Sequence, residues 1–119
     1  MVKEFPVVVL REKMCKDQTL RDIQTCLEGV VGKNSGTGKL AYSKYFRVAG
    51  KTGTAQIWSK HGFAANYLVS FAGYFPADRP KYSMIVCIEK TAPAYGGMHC
   101  CPVFKKIAET VMARDLNAD

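Results

Sequence analysis

Residues 66–90 of this 119-residue chain read Asn-Tyr-Leu-Val-Ser-Phe-Ala-Gly-Tyr-Phe-Pro-Ala-Asp-Arg-Pro-Lys-Tyr-Ser-Met-Ile-Val-Cys-Ile-Glu-Lys. The two ends of this stretch, residues 66–75 and 82–90, are rich in aromatic and β-branched side chains, which favour strands. The segment between them, residues 76–81, has the proline and aspartate content of a turn. The pattern predicts two antiparallel strands joined as a hairpin. Because apolar side chains fall on both faces of these strands, we expect both faces to be covered.

One further strand precedes this hairpin, and a helix lies on either side of the strand region. Residues 46–58, Phe-Arg-Val-Ala-Gly-Lys-Thr-Gly-Thr-Ala-Gln-Ile-Trp, predict a strand over about 45–58. A helix is expected over about 17–31, where Asp17 is placed to cap it. A second helix is expected over about 102–114, with Pro102 in its first turn. The sequence therefore predicts an α+β fold with an antiparallel three-stranded sheet flanked by helices.

Both predicted helices carry apolar residues at helical spacing. The first helix places one apolar stripe toward the core, formed by Leu20, Ile23, Leu27 and Val30. The second has a broader face, formed by Val103, Phe104, Ile107, Ala108, Val111 and Met112. Cys26 lies on the stripe side of the first helix and Cys87 lies in the last strand. We expect both thiols to be small core residues.

The strand predicted at about 45–58 carries the most informative polar residues, Lys51-Thr52-Gly53-Thr54. An ammonium, two hydroxyls and a glycine at a strand edge suit recognition of a carboxylate beside a carbonyl. The ammonium supplies positive charge, the hydroxyls donate hydrogen bonds, and Gly53 admits another backbone. Free amide N–H groups on such an edge suit an extended peptide or a developing oxyanion.

Two other interpretations of these residues compete with this one. Gly50-Lys51-Thr52 matches the end of a phosphate-binding loop, but Tyr45 stands where that motif requires its first glycine. A phosphate-binding loop must also open a helix, whereas the residues after Thr54 favour a strand. In a purely structural interpretation, Lys51 is a solvated cation on the strand, and the two threonines are there because threonine favours strands.

The order of several segments favours the functional interpretation. Residues 48–56 resemble the Lys-Thr-Gly box of class B penicillin-binding proteins, the serine D,D-transpeptidases of peptidoglycan synthesis. Four further segments resemble the same family in the same order, from about residue 20 to about residue 114. They are residues 27–31 with 36–38, residues 70–78, residues 95–97 and residues 102–109.

Two of the three catalytic boxes of that family are absent from the chain. The family pattern requires Ser-x-x-Lys, which holds the nucleophile, and Ser-x-Asn or Tyr-x-Asn, besides Lys-Thr-Gly. No serine of the chain is followed three positions later by lysine, and no asparagine is preceded two positions earlier by serine or tyrosine. We therefore expect a C-terminal fragment of a transpeptidase domain that is inactive alone, because an activated serine needs an adjacent base.

The resemblance also implies roles for individual residues. Lys51 belongs to the charge and hydrogen-bond network around the missing catalytic serines. Thr52 and Thr54 bind the carboxylate of a terminal D-alanine, or of a β-lactam that mimics it. The N–H of Thr54 is one oxyanion donor, and Gly53 leaves room for the ligand. Residues 95–97 belong to a loop near, but not in, the site.

The remaining implications concern the parent protein. Its sheet has five strands, two of them from sequence before residue 1, so we expect an exposed sheet edge, an exposed apolar face and self-association. The parent is expected at the bacterial cytoplasmic membrane, with this domain on the outer face. Its expected partners are the remainder of the transpeptidase domain, the peptidoglycan stem peptide and β-lactams, and it is expected to need no cofactor. The alternatives are a non-catalytic penicillin-sensing domain and a serine β-lactamase. The parent serves cell division or cell shape.

Composition excludes several other functions. Lysine and arginine number 17 against 10 acidic residues, giving a net charge of +7. The cations are spread along the chain and most aromatic residues lie in predicted strands, which does not favour nucleic-acid binding. The chain has five cysteines, with Cys100 beside Cys101, but no second ligand pair at zinc spacing. We expect no metal and no nucleic-acid partner.

Overall fold

The computed structural model describes residues 2–59, 62–91 and 94–118. These residues form an antiparallel three-stranded sheet in the order β1-β2-β3, with helices before and after it, as the α+β prediction requires. The elements are α1 (Asp17–Gly32), β1 (Ala49–Ser59), β2 (Gly62–Phe75), β3 (Tyr82–Lys90), α2 (Gly96–His99) and α3 (Cys101–Ala118), with a 3-10 helix at Lys39–Ala41.

The strand register decides which side chains share a face of the sheet. Thr52 pairs with Phe71, and Phe71 pairs with Val86. Paired residues lie on the same face and neighbours along a strand alternate. One face, called the inner face, therefore carries Thr52, Thr54, Val69, Phe71, Phe75, Met84, Val86 and Ile88. The other, called the outer face, carries Lys51, Gly53, Leu68, Ala72, Ile85 and Cys87.

The core lies between the inner face and α3. Phe104 of α3 is fully buried and meets Phe71 edge to face, with ring centroids 4.7 Å apart and planes at 83°. Phe75 lies 5.7 Å from the same ring in a similar arrangement. Edge-to-face pairs add about 0.5–1.5 kcal/mol to the burial of their rings. Ala108, one turn after Phe104, is also buried. This packing holds α3 against the inner face of the sheet.

The expectation that both faces of the hairpin are covered is wrong for the described part of the chain. Along β3 the side chains alternate between half-buried and exposed. On the outer face Ile85 is 63% exposed, Leu68 is 42% exposed and Cys87 is exposed. The predicted core position of Cys87 is therefore wrong. The alternation of apolar residues showed correctly which residues share a face, but α3 covers only the inner one.

The buried stripe predicted for the first helix is only partly present. Leu20 and Ile23 are each 48% exposed, Cys26 is exposed, and burial is complete only at Val31. The helix contacts the sheet through β1, with its C-terminal end closest to the core. Asp17 is the first residue of α1 and makes no cap, since the N-cap is Lys16 without a side-chain hydrogen bond. The prediction that Cys26 is a core residue is therefore wrong, because only the C-terminal end of α1 is buried.

Several helices and strands begin or end at residues other than those predicted. β1 begins at Ala49, against the expected 45, because residues 42–48 make the turn that links the 3-10 helix to the sheet. β2 begins at Gly62, against 66, and β3 spans Tyr82–Lys90. α1 ends at Gly32, against 31, and α3 spans Cys101–Ala118, against 102–114.

Among the described residues, no helix combines the length and the apolar content that crossing a membrane requires.

Candidate active site

The four predicted site residues lie together on β1, an edge strand of the sheet. Strand alternation separates their side chains into two pairs. Thr52 and Thr54 lie on the inner face, in register with Phe71 and Val69. Lys51 and Gly53 lie on the outer face, in register with Ala72 and Ser70. The two hydroxyls therefore act on one side of the strand and the ammonium on the other.

The two threonines open into a recess of 460 Å³ at the sheet edge. Its walls come from four parts of the chain: β1, the turn after α1, the 3-10 helix and the start of α2. The lining residues are Gly36, Thr37, Lys39, Leu40, Thr52, Thr54, Tyr95, Gly96, Gly97 and Met98. Neither Lys51 nor Gly53 lines it. The recess is an open, mainly apolar groove, and the hydroxyl-bearing residues in its lining are Thr37, Thr52, Thr54 and Tyr95.

Glycines make the close approaches that form this recess. A Cβ on Gly96 would overlap the carbonyl oxygen of Ser70, and one on Gly97 would overlap that of Thr37. A Cβ on Gly36 would overlap the carbonyl oxygen of Val30. Since only glycine lets two backbones approach so closely, Gly36 packs the turn against the end of α1, Gly96 packs the start of α2 against β2, and Gly97 packs it against the turn after α1.

Gly53 has a structural reason of its own. A Cβ at this position would lie 2.6 Å from the Ser70 hydroxyl oxygen on the neighbouring strand. The space beside Gly53 is thus occupied by Ser70, its register partner in β2. A larger side chain at position 53 would require the Ser70 side chain to move.

The charges around the recess favour an anion. Lys39 is the one charged residue in its lining, and no carboxylate faces it among the described residues. Lys51 lies just outside, where its ammonium donates a hydrogen bond of 3.0 Å to the Thr52 carbonyl oxygen. In the described part of the chain, the recess therefore has one cation, Lys39, and hydroxyl-bearing residues but no acidic side chain in its lining, a combination that favours a carboxylate or another small anion.

An ion pair fixes the segment that enters β1. Arg47 Nη2 lies 2.7 Å from Glu28 Oε2 of α1, and this hydrogen bond raises the pKa of the guanidinium. The Arg47 carbonyl oxygen also accepts a 2.8 Å hydrogen bond from the N–H of Ala77 in the hairpin turn. Burial, and then the charge of Glu28, raise the pKa of the nearby Tyr74 hydroxyl. Arg47 therefore connects α1, β1 and the turn, and it does not line the recess.

The cysteines make no disulfide, since all five are described and all are free thiols. Burial, and then the neighbouring Cys100, raise the pKa of Cys101 to about 12. Burial likewise raises the pKa of Cys100. Raised values keep both thiols protonated and unreactive. Among the described residues, no three metal-binding side chains cluster together.

A larger recess of 710 Å³ lies away from the predicted site, between residues 42–47 and the C-terminal half of α3. The serine that lines it, Ser43, is buried and donates a 2.9 Å hydrogen bond to Glu109. The Ser43 oxygen also accepts a hydrogen bond from the N–H of Tyr45. These bonds fix the turn before β1, so Ser43 has the environment of a structural hydroxyl.

Comparison with known proteins identifies the family. Residues 3–109 match the penicillin binding protein transpeptidase domain. The chain belongs to this family. Stage V sporulation protein D of Bacillus subtilis is 33% identical over 108 residues, which make up 88% of this chain and 16% of that protein. The chain spans 14–18% of the length of the curated relatives it matches, and it corresponds to part of the transpeptidase domain of class B penicillin-binding proteins.

Solved transpeptidase domains have the same fold over most of the chain. The domain of the FtsI4 D,D-transpeptidase from Legionella pneumophila is 36% identical with a TM-score of 0.65, covering 82% of this chain and 36% of that one. Penicillin binding protein 3 from Mycobacterium tuberculosis, complexed with ampicillin, is 29% identical with a TM-score of 0.69. That match covers 82% of this chain and 24% of the other.

The family resemblance, read from sequence alone, did not place every residue of the recess. Residues 95–97 were expected near the site, whereas they line the same recess as Thr52 and Thr54. Thr37 and Lys39 had no predicted role, although both also line it. The sequence signal for them was the glycine content of residues 36–38 and 96–97, because paired glycines in two loops indicate close backbone approaches.

Proposed function

We propose that this chain forms the carboxylate-binding side of the active site of a peptidoglycan D,D-transpeptidase. The substrate is a stem peptide that ends in D-alanine, and a β-lactam with its own carboxylate occupies the same place. Thr52 and Thr54 donate hydrogen bonds to that carboxylate, and Lys39 adds positive charge. The observation that carries the proposal is the recess beside β1, whose described lining contains Thr52, Thr54 and the cation Lys39 and no carboxylate.

The reaction is acyl transfer through a serine that lies outside this chain. The serine oxygen attacks the carbonyl carbon of the penultimate residue, the bond to the terminal D-alanine breaks, and the serine proton passes through the base to the leaving amine. An amine of a second stem peptide then attacks the acyl-serine ester, which forms the cross-link and releases the serine. The N–H of Thr54, on the edge strand, is one donor to the oxyanion that forms during attack. Such donors are each worth about 10²–10³ in rate because they are already in place when the charge develops.

Binding the carboxylate serves this step by fixing the scissile bond against the strand edge. A ligand held at its terminus needs less entropy loss to reach the attacking geometry. Lys51 takes part in the charge network around the serines, on the outer face of β1 and away from the carboxylate. Gly53, which pairs with Ser70 of β2, leaves room for the ligand at the strand edge.

The partners and the location follow from this function. The remainder of the transpeptidase domain supplies the nucleophile and its base, and the reaction requires no cofactor. Peptidoglycan is assembled outside the cytoplasmic membrane, so the domain is proposed to face that side. Cross-linking of stem peptides there serves division or cell shape.

The test is covalent labelling of the full-length protein by a fluorescent penicillin. We expect labelling that survives denaturation, and a fall of about a hundredfold in its rate when Thr52 and Thr54 are both changed to valine, because each loses a hydrogen bond to a charged group. Thr91→Val, an exposed threonine after β3, is the matched control and should label at the wild-type rate. Absence of labelling in the wild type would refute the proposed function.

A further inference from the structure

The Thr37 hydroxyl oxygen lies 3.0 Å from the Thr52 hydroxyl oxygen, and either atom is able to donate. The two residues come from different elements, since Thr37 follows α1 and Thr52 belongs to β1. Both line the recess described above. The hydrogen bond therefore joins a residue without an assigned role to one of the two proposed carboxylate donors.

Thr37 is held in place from both sides. The N–H of Gly38 donates a 2.9 Å hydrogen bond to the Val30 carbonyl oxygen, which ties the turn to the end of α1. On the other side, the Thr37 carbonyl oxygen lies where a Cβ on Gly97 would be. With its backbone clamped between α1 and the start of α2, Thr37 presents its hydroxyl to Thr52 in a fixed position.

The number of protons decides what this contact does when an anion binds. A threonine hydroxyl carries one proton, and a carboxylate only accepts. If Thr52 donated to Thr37, its proton would be unable to reach the ligand. With a carboxylate bound, Thr37 must donate to Thr52 and Thr52 must donate to the carboxylate. Hydrogen bonds in such a chain strengthen one another, most of all when the last acceptor is charged.

We propose that Thr37 is a positioning residue that directs the Thr52 proton toward the ligand carboxylate. Thr37 acts through Thr52 and does not itself touch the ligand. The proposal rests on the proposed function, because it requires a carboxylate in the recess. It adds a residue from the turn after α1 to the determinants of ligand recognition on β1.

The test compares Thr37→Val with Thr37→Ser in the full-length protein. The readout is the second-order acylation rate for a penicillin and for the methyl ester of the same penicillin. Thr37→Val should lower the rate with the free acid about tenfold, because it removes a hydrogen bond to Thr52 that the charged acceptor at the end of the chain strengthens. The ester rate should change by less than about twofold, since its neutral carbonyl gains little from the chain. Thr37→Ser should keep both rates.

A second comparison holds even if Thr37→Val is poorly folded. In a Thr52→Val background the carboxylate has lost its donor, so adding Thr37→Ser or Thr37→Val should leave the acid-to-ester rate ratio unchanged. Equal losses with acid and ester, or a Thr37→Val rate with the acid equal to that of the wild type, would overturn the inference alone. A wild-type protein inert to the free acid would refute the proposed function, and the inference with it.

Discussion

The proposed recognition of a carboxylate depends on a few side chains after α1 and on β1. In this proposal Thr52 and Thr54 donate directed hydrogen bonds, and Lys39, which also lines the recess, supplies positive charge. Lys51, the lysine of the motif, lies outside the recess and reaches the Thr52 carbonyl oxygen. The cation that faces the ligand carboxylate is therefore expected to be Lys39.

Changing Lys39 to glutamine tests that assignment in the full-length protein. Acylation by a penicillin should slow about fivefold at low salt and less at high salt, because an exposed charge interaction is worth about 1 kcal/mol and is screened. Lys33→Gln removes an equal charge just after α1, outside the recess, and is the control. Equal effects of the two substitutions would show that only net charge matters.

At the scale of elements, α3 is joined to the hairpin turn by polar contacts as well as by the core. Asp115 accepts hydrogen bonds from Lys81 at 2.7 Å and from Tyr82 at 3.0 Å. The hydrogen bond from Lys81 is the main cause of a lowered pKa of Asp115, and the one from Tyr82 also contributes. These contacts hold the C-terminal half of α3 against the start of β3.

The lowered pKa of Asp115 fixes the direction of an acid effect. A carboxyl group whose pKa is lower in the folded state stabilises the fold above its unfolded pKa of about 3.9, and this contribution is lost as pH falls through the folded value. Asp115→Asn should lower the free energy of unfolding at pH 7 and give a flatter decline below about pH 4. Urea unfolding followed by circular dichroism measures both, and parallel curves for the two proteins would contradict the assignment.

Thiol chemistry tests the burial of α1, β3 and α3 separately. Iodoacetamide under native conditions should alkylate Cys26 and Cys87, which are exposed. Cys100 and Cys101 should react only after denaturation, because burial excludes the reagent and raises the pKa of both thiols. Mass spectrometry of peptides assigns each site. Native alkylation of Cys101 would show that α3 is not packed as described.

The sequence predicted the elements well because their signals are local. Apolar periodicity and the Pro76–Lys81 turn identified both long helices and β3 to within a few residues. The prediction of burial was wrong at Cys26, Cys87 and Ile23, which are exposed. Apolar periodicity shows which residues share a face, but it does not show what covers that face. The recess was missed at Thr37 and Lys39 for a related reason, since only the fold brings the turn after α1 beside β1.

At the scale of the whole molecule, part of the outer face of the sheet carries exposed apolar side chains on β2 and β3 in the described part of the chain. Ile85 is 63% exposed and Leu68 is 42% exposed, on the face opposite the core. Both β1 and β3 are edge strands among the described residues. An exposed apolar face next to free strand edges favours contact with another copy or with a further part of the domain.

Analytical ultracentrifugation of the 119-residue chain tests this expectation. We expect association that increases with concentration, and a shift toward monomer in Ile85→Asp, because a charge on the outer face opposes its burial. Thr91→Asp adds the same charge beyond the end of β3 and should associate like the wild type. A wild-type chain that stays monomeric at high concentration would contradict the expectation.

The 119-residue chain should not react with penicillin by itself, because neither Ser-x-x-Lys nor Ser-x-Asn is present in it. Incubation with a fluorescent penicillin followed by denaturing electrophoresis should show no labelled band. The full-length protein on the same gel is the positive control. A labelled band from the short chain would mean that one of its own serines is the nucleophile.

The most direct measurement is a crystal structure of the full-length protein acylated by ampicillin. The ampicillin carboxylate should lie in the recess, with its oxygens about 2.7–3.0 Å from the Thr52 and Thr54 hydroxyls. The carbonyl oxygen of the adduct should accept a hydrogen bond from the N–H of Thr54. A carboxylate bound outside the recess, with neither threonine within hydrogen-bonding distance, would contradict the proposed role of β1.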